Sequence, residues 1–175
     1  MHTVLILGAG KIGSLIAGLL AEAGDYAVQV ADVSDAVARA VVEAHALPNM
    51  LAFGIDAREK SALEAHLVRH RVDAVVSSLP FYCNVGVAEA ARGAGAHYFD
   101  LTEDVAVTRA VRALAEGAPQ AFVPQCGLAP GFVSIAANSL ISHFETLRSV
   151  KLRVGALPQN PNNVLKYSLT WSPKG

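Results

Sequence analysis

The chain has few of the residues that mark a specialised environment. It has two cysteines, Cys83 and Cys126. They lie far apart and match no zinc spacing, so neither a disulfide framework nor a thiolate metal site is indicated. The six histidines show no ligand spacing, and no metal is expected. Charged residues make up 17% of the chain and the net charge is −1, without any long run of lysine or arginine. Nucleic acid and anionic membranes therefore have no electrostatic support as partners. No apolar stretch reaches the roughly 20 residues of a membrane span. The N-terminus has no basic leader or cleavage site, and a cytoplasmic protein is expected. Apolar residues are plentiful at 53%. They exclude disorder over most of the chain and suffice for one core plus part of another.

Short apolar runs alternate with Ala- and Leu-rich helical stretches. Strands are expected at Thr3–Leu7, Ala27–Ala31, Met50–Phe53, Asp73–Ser77, His97–Asp100 and Gln120–Pro124. The helices between them are expected at Ile12–Ala23, Asp35–His45 (with Ser34 as cap), Glu59–His70, Asn84–Arg92 and Asp104–Glu116. That order predicts an α/β fold, a Rossmann-type doubly wound parallel sheet over residues 1–130. After Gly131 the texture changes. A helix is expected over Phe132–Phe144, then strands over Leu147–Gly155 and Val164–Trp171 around a Pro-Asn-rich segment. Residues 131–175 read as the start of a second α+β substrate domain. Two strands make no core of their own, so this domain is expected to be truncated or covered by another chain.

The segment Gly8-Ala9-Gly10-Lys11-Ile12-Gly13 is a G-x-G-x-x-G match between the first strand and the first helix. The first glycine makes a tight turn, the second admits a pyrophosphate to the backbone, and the third lets helix and strand pack closely. The helix start offers free N–H groups and a partial positive charge to the phosphates. Asp32 stands 19 residues after Gly13, at the end of the second strand. A carboxylate there accepts bonds from ribose hydroxyls and repels a 2′-phosphate, and neither Val33 nor Ser34 offers a cation. NAD is expected in preference to NADP, with FAD or another nucleotide as an alternative. Asp56, after the third strand, is a candidate for adenine contact or for the N-cap of the next helix.

Ligands of open α/β sheets lie beyond the carboxyl ends of the strands. Ser77, Ser78, Leu79 and Pro80 are therefore candidates to border the nicotinamide ribose. Asp100 and Glu103, after the fifth strand, are candidates to hold an amine or move protons. The alternative for this stretch is that Thr102 and, above all, Asp104 cap the following helix. Cys126 opens the Cys126–Gly131 loop after the sixth strand. It is a candidate acid/base, the alternative being an inert packing cysteine.

With LILGAGKIG at the start, VVSSLPF after the fourth strand, CGLAPGF at the crossover and VGALPQNPNNVLKYSLTWSPKG at the end, the sequence resembles the N-terminal part of the saccharopine dehydrogenase-like family, of saccharopine reductase and lysine 6-dehydrogenase type. The resemblance implies an NAD(P)-dependent oxidoreductase. Hydride transfer would occur at the C–N carbon of an amino acid or related amine. It also implies a second domain that completes the substrate pocket and forms a homodimer. A chain holding only the first domain would bind cofactor without turnover. The remaining alternatives are an NAD-binding regulatory module and a dehydrogenase of a non-amine substrate.

Overall fold

The computed structural model describes residues 1–155, 158–160 and 163–164. Six strands, β1 (His2–Leu7), β2 (Tyr26–Asp32), β3 (Met50–Gly54), β4 (Ala74–Ser77), β5 (His97–Asp100) and β6 (Phe122–Val123), form one sheet in the order β3-β2-β1-β4-β5-β6. Every pairing is parallel. Helices α1 (Lys11–Glu22), α2 (Asp35–His45), α3 (Lys60–Arg69), α4 (Asn84–Ala94) and α5 (Val105–Ala115) connect them, and α6 (Phe132–Ile141) follows β6. This is the expected doubly wound α/β sheet. Its strand order reverses between β1 and β4, which opens a crevice at the carboxyl ends of those two strands.

The sequence explains the layering. β1 is apolar on both faces. Val4 and Ile6 join a core with Ala17 and Ala21 of α1, Ala38 of α2, and Val28 and Val30 of β2. Leu5 and Leu7 join Leu63, Leu67, Val75, Val87 and Val111 on the other face. A strand buried on both faces reads as a continuous apolar run rather than an alternation. In α1 the buried positions are Gly13, Ala17, Gly18 and Ala21, all small, so the helix axis lies close to the sheet.

Several boundaries move. β6 is two residues long, not five, and α6 ends at Ile141. Ser34 occupies the N-cap of α2, but its side chain makes no cap bond. The strand expected at Leu147–Gly155 does not form, since no partner strand lies beside it among the described residues and a lone strand has no ladder. The strand expected at Val164–Trp171 lies, apart from Val164, outside the described residues. On α6, Phe132, Ile135 and Leu140 are exposed.

One partly buried polar pair makes the fold sensitive to acid. Gln29 of β2 is buried, and its Oε1 lies 2.8 Å from Nε2 of His66. The His66 ring also stacks on His70 at 4.3 Å and meets Phe53 edge-on at 4.6 Å. Burial, reinforced by His70 and Arg69, pushes the His66 imidazole down from 6.5 to about 4. Between those two values the unfolded chain takes up a proton at His66 and the folded chain does not. Stability conferred by neutral His66 is therefore intact above about pH 6.5 and is lost progressively towards about pH 4. For this partly screened group the loss is expected to be about 2 kcal/mol. Urea unfolding of the original and His66→Gln proteins between these pH values should show the variant with the flatter profile.

Candidate active site

The crevice begins with the turn between β1 and α1. Gly8 has φ +97°, a conformation side chains rarely adopt, and a Cβ there would stand 2.8 Å from the Ser78 carbonyl oxygen. A Cβ on Gly13 would run into the Gly8 carbonyl oxygen. These two glycines fix how closely α1, β1 and the loop after β4 approach. Gly10 differs from both. Its backbone is extended (φ −74°, ψ −173°), and a Cβ would meet nothing within 4 Å. The space beside Gly10 is open, and α1 starts there with no side-chain cap and no acid in its first turn. Lys11 and Ile12 are exposed at this start. Free N–H groups facing a space that a methyl group would fill fit a pyrophosphate.

At the end of β2, Asp32 closes over this turn. Its Oδ2 accepts a bond from Ala9 N and its Oδ1 one from Ser34 N, both at 3.0 Å. Beyond Asp32 lies a cavity of about 250 Å³ lined by Leu7, Asp32, Val33, Ile55, Asp56, Ala57, Arg58, Leu79, Tyr82 and Cys83. Apolar walls with a few carboxylate and guanidinium groups suit a heteroaromatic base. Asp56 does not cap α3, whose N-cap is Glu59. It lines the cavity and pairs with Arg58, whose Nη2 lies 2.6 Å from Oδ2. That guanidinium holds the Asp56 carboxyl down at about 2.

The loop after β4 divides into two parts. Ser77 is buried and donates its hydroxyl to Asn84 Oδ1 at 2.7 Å, so it ties the loop to α4 and does not face the crevice. Its hydroxyl therefore does not make the expected ribose contact. Ser78 and Leu79 border the turn at Gly8, and Pro80 begins the helical turn that follows. Ser78 N donates to the Leu7 carbonyl at 2.8 Å, Leu79 lines the cavity, and the Pro80 carbonyl accepts from Cys83 N.

Asp100 also departs from expectation. It is 0% exposed, and its Oδ2 accepts the Tyr98 hydroxyl at 2.8 Å. Its Oδ1 accepts Thr102 N at 2.9 Å and Gln125 N at 3.1 Å, while its carbonyl accepts Cys126 N at 2.7 Å. Such a group has no surface with which to hold an amine. It instead ties the loop after β5 to the loop after β6. Burial and the Asp100 charge push the Tyr98 phenol far above its usual range, which keeps it a donor. Asp104 is the N-cap of α5, its Oδ1 accepting Val107 N at 2.8 Å, and Thr102 Oγ1 accepts Asp104 N at 3.1 Å. Glu103, between them, is exposed.

Cys126 lies at the surface with Sγ 3.2 Å from the Val123 carbonyl. Partial enclosure and the Asp100 charge raise its thiol, so it stays protonated at neutral pH. The loop it opens closes tightly. Gly131 has φ +130°, and a Cβ there would meet the Gly127 carbonyl. The sequence reading missed Arg58, Tyr98 and Gln125. Only Tyr98 carried a signal, because it stands two residues before Asp100 on one strand and so shares its face.

The family model described as the saccharopine dehydrogenase NADP binding domain matches residues 4–124. Among solved structures, the chain is similar to saccharopine dehydrogenase (L-Glu forming) from Saccharomyces cerevisiae. The identity is 22% and the TM-score 0.79, over 98% of this chain and 39% of that one. It is also similar to UDP-N-acetylglucosamine 3-dehydrogenase from Acidithiobacillus ferrooxidans, with 22% identity and a TM-score of 0.57 over 82% and 41%. A third is the leucoanthocyanidin reductase–NADPH complex from Vitis vinifera, with 20% identity and a TM-score of 0.55 over 70% and 48%. At these identities the likeness is one of fold, and the chain spans less than half the length of each.

Proposed function

Since the chain belongs to the saccharopine dehydrogenase family, a family of oxidoreductases whose nicotinamide-cofactor domain it carries, we propose that it serves an NAD-dependent dehydrogenase acting at the C–N carbon of an amino acid or related amine. The observation that carries the choice of NAD is Asp32. Its carboxylate is fixed by two backbone N–H groups at the end of β2, and an acceptor there suits the adenosine ribose of a dinucleotide. The cation nearest in the cavity lining, Arg58, is already paired with Asp56.

The residues divide the work by position. Gly8, Gly10 and Gly13, with Lys11 and Ile12, hold the pyrophosphate. Asp32 accepts the ribose hydroxyls, and Asp56 borders the adenine. Ser78, Leu79 and Pro80 border the second ribose. A bound nicotinamide cofactor supplies hydride transfer at its C4. Glu103 is the exposed carboxylate best placed to meet an ammonium group. Cys126, held protonated, can give a proton but is a poor base at neutral pH. Residues 131–175 begin a substrate domain that joins two copies, in a cytoplasmic enzyme. Among the described residues no helix is long and apolar enough to cross a membrane.

The test is a titration of NAD⁺ followed by an NADH absorbance assay with lysine, saccharopine and other diamino acids, on the full-length protein. NADH formation that depends on one of these amines is expected. NAD⁺ binding without oxidation of any of them would overturn the amine reading and leave the regulatory module and the dehydrogenase of a non-amine substrate.

A further inference from the structure

Asp56 and Arg58 form a closed unit at the mouth of the adenosine cavity. Arg58 Nε lies 2.9 Å from Oδ1 and 3.2 Å from Oδ2, and Nη2 lies 2.6 Å from Oδ2. Arg58 N adds a fourth bond to Oδ1 at 3.0 Å. The carboxylate side chain is 30% exposed and the guanidinium side chain 69%, so the arginine lies on the solvent side of the pair. Among the described residues lining the cavity, Arg58 is the only permanent cation, and Asp32 is a second carboxylate in the same lining.

We propose that Asp56 sets cofactor choice by sequestering Arg58, so that a 2′-phosphate on the adenosine ribose finds two carboxylates and no free cation. This rests on the reading of the crevice as a dinucleotide site. The charge count is simple. Two carboxylates and one guanidinium leave the lining with an excess of negative charge, which a neutral 2′-hydroxyl tolerates and a phosphate does not. The guanidinium is nevertheless suited to phosphate, since its planar fork binds two oxygens at once. It is exposed and held to a partner only two residues away, so release of the carboxylate charge leaves it free to turn towards another anion. Asp56→Asn performs that release with little change of shape. The amide oxygen still accepts Arg58 N and Nε, but the charge attraction and the two bonds to Oδ2 are lost, because the amide NH₂ cannot accept.

Calorimetric titration of the full chain with NAD⁺ and, separately, NADP⁺ tests the proposal in four proteins: the original, Asp56→Asn, Arg58→Gln and the double variant. Circular dichroism confirms that each is folded. The original should bind NAD⁺ at least about tenfold more tightly than NADP⁺, and Asp56→Asn should tighten NADP⁺ by about tenfold or more. The double variant should lose that gain. A gain that survives in the double variant overturns the proposal, because loss of negative charge alone would then explain it. No gain in Asp56→Asn also overturns it. An original protein that binds both cofactors equally overturns it while leaving the dinucleotide site standing. An original protein that binds neither overturns the site as well.

Discussion

Gly10→Ala is expected to abolish dinucleotide binding in a protein that unfolds almost as the original does, whereas Gly13→Ala should lose stability as well as binding. The two glycines stand three residues apart in one motif, but the space around them differs. A methyl group on Gly10 meets no atom within 4 Å, and the backbone there is one that alanine adopts freely. The cost to folding is limited to a poorer helix N-cap, about 1 kcal/mol or less. The same methyl group occupies the open space beside the start of α1, where a pyrophosphate would approach the first-turn N–H groups. A pyrophosphate cannot approach them, and an affinity loss of about a hundredfold or more is expected. On Gly13 the methyl group would collide with the Gly8 carbonyl oxygen. Both partners are backbone, so neither can swing aside, and α1 must move away from β1. Such overpacking costs on the order of 2–4 kcal/mol. Urea unfolding and NAD⁺ titration of both variants check this. Equal stability losses in the two would refute the distinction.

A loss of similar size is expected from Asp100→Ala. The substitution leaves the buried Tyr98 hydroxyl and the partly buried backbone N–H groups of Thr102 and Gln125 without their acceptor. Each orphaned donor costs about 1–3 kcal/mol, and partial relaxation brings the expected total to about 3–5 kcal/mol. Asp100→Asn should cost less, about 1–2 kcal/mol, because one oxygen remains to accept the two backbone groups and the amide can donate to the Tyr98 oxygen. The ordering Ala, then Asn, then the original protein is the signature of a group that ties loops together. Urea midpoints at neutral pH give it directly. Equal midpoints for Ala and the original would show that the carboxylate holds nothing in place.

The order and type of the elements up to β6 were legible because each apolar run is short and ends at a glycine, an aspartate, a serine pair or a proline, with a helical stretch next. The glycine turn and Asp32 were legible for a related reason, since their spacing reflects one local β-turn-α-β unit. Asp100 was misread because an aspartate in the acidic stretch Asp100–Asp104 looks like surface, and aspartate is seldom fully buried. Its enclosure depends on Gln125, a residue 25 positions away that no local pattern connects to it. Arg58 was missed because the search for a cation stopped at the residues after Asp32, while the cavity also draws its wall from the end of β3. Leu147–Gly155 has the alternation of a strand, but alternation describes two faces and says nothing about whether a neighbouring strand exists.

The position of β1 has a kinetic consequence. It is the strand of the β1–β3 half that meets the other half, pairing with β2 through His2 to Leu7 and with β4 through Val4 to Leu7. The first pairing closes a loop of modest length, and the second must bring Ala74 back to Val4. Chain closure over such a span is entropically slow, so the half of the sheet made of β1 to β3 is able to assemble before the other half docks onto it. During that interval the free edge of β1, apolar on both faces, is exposed to other chains. The strand that carries the glycine turn is therefore also the most vulnerable part of the protein while it folds.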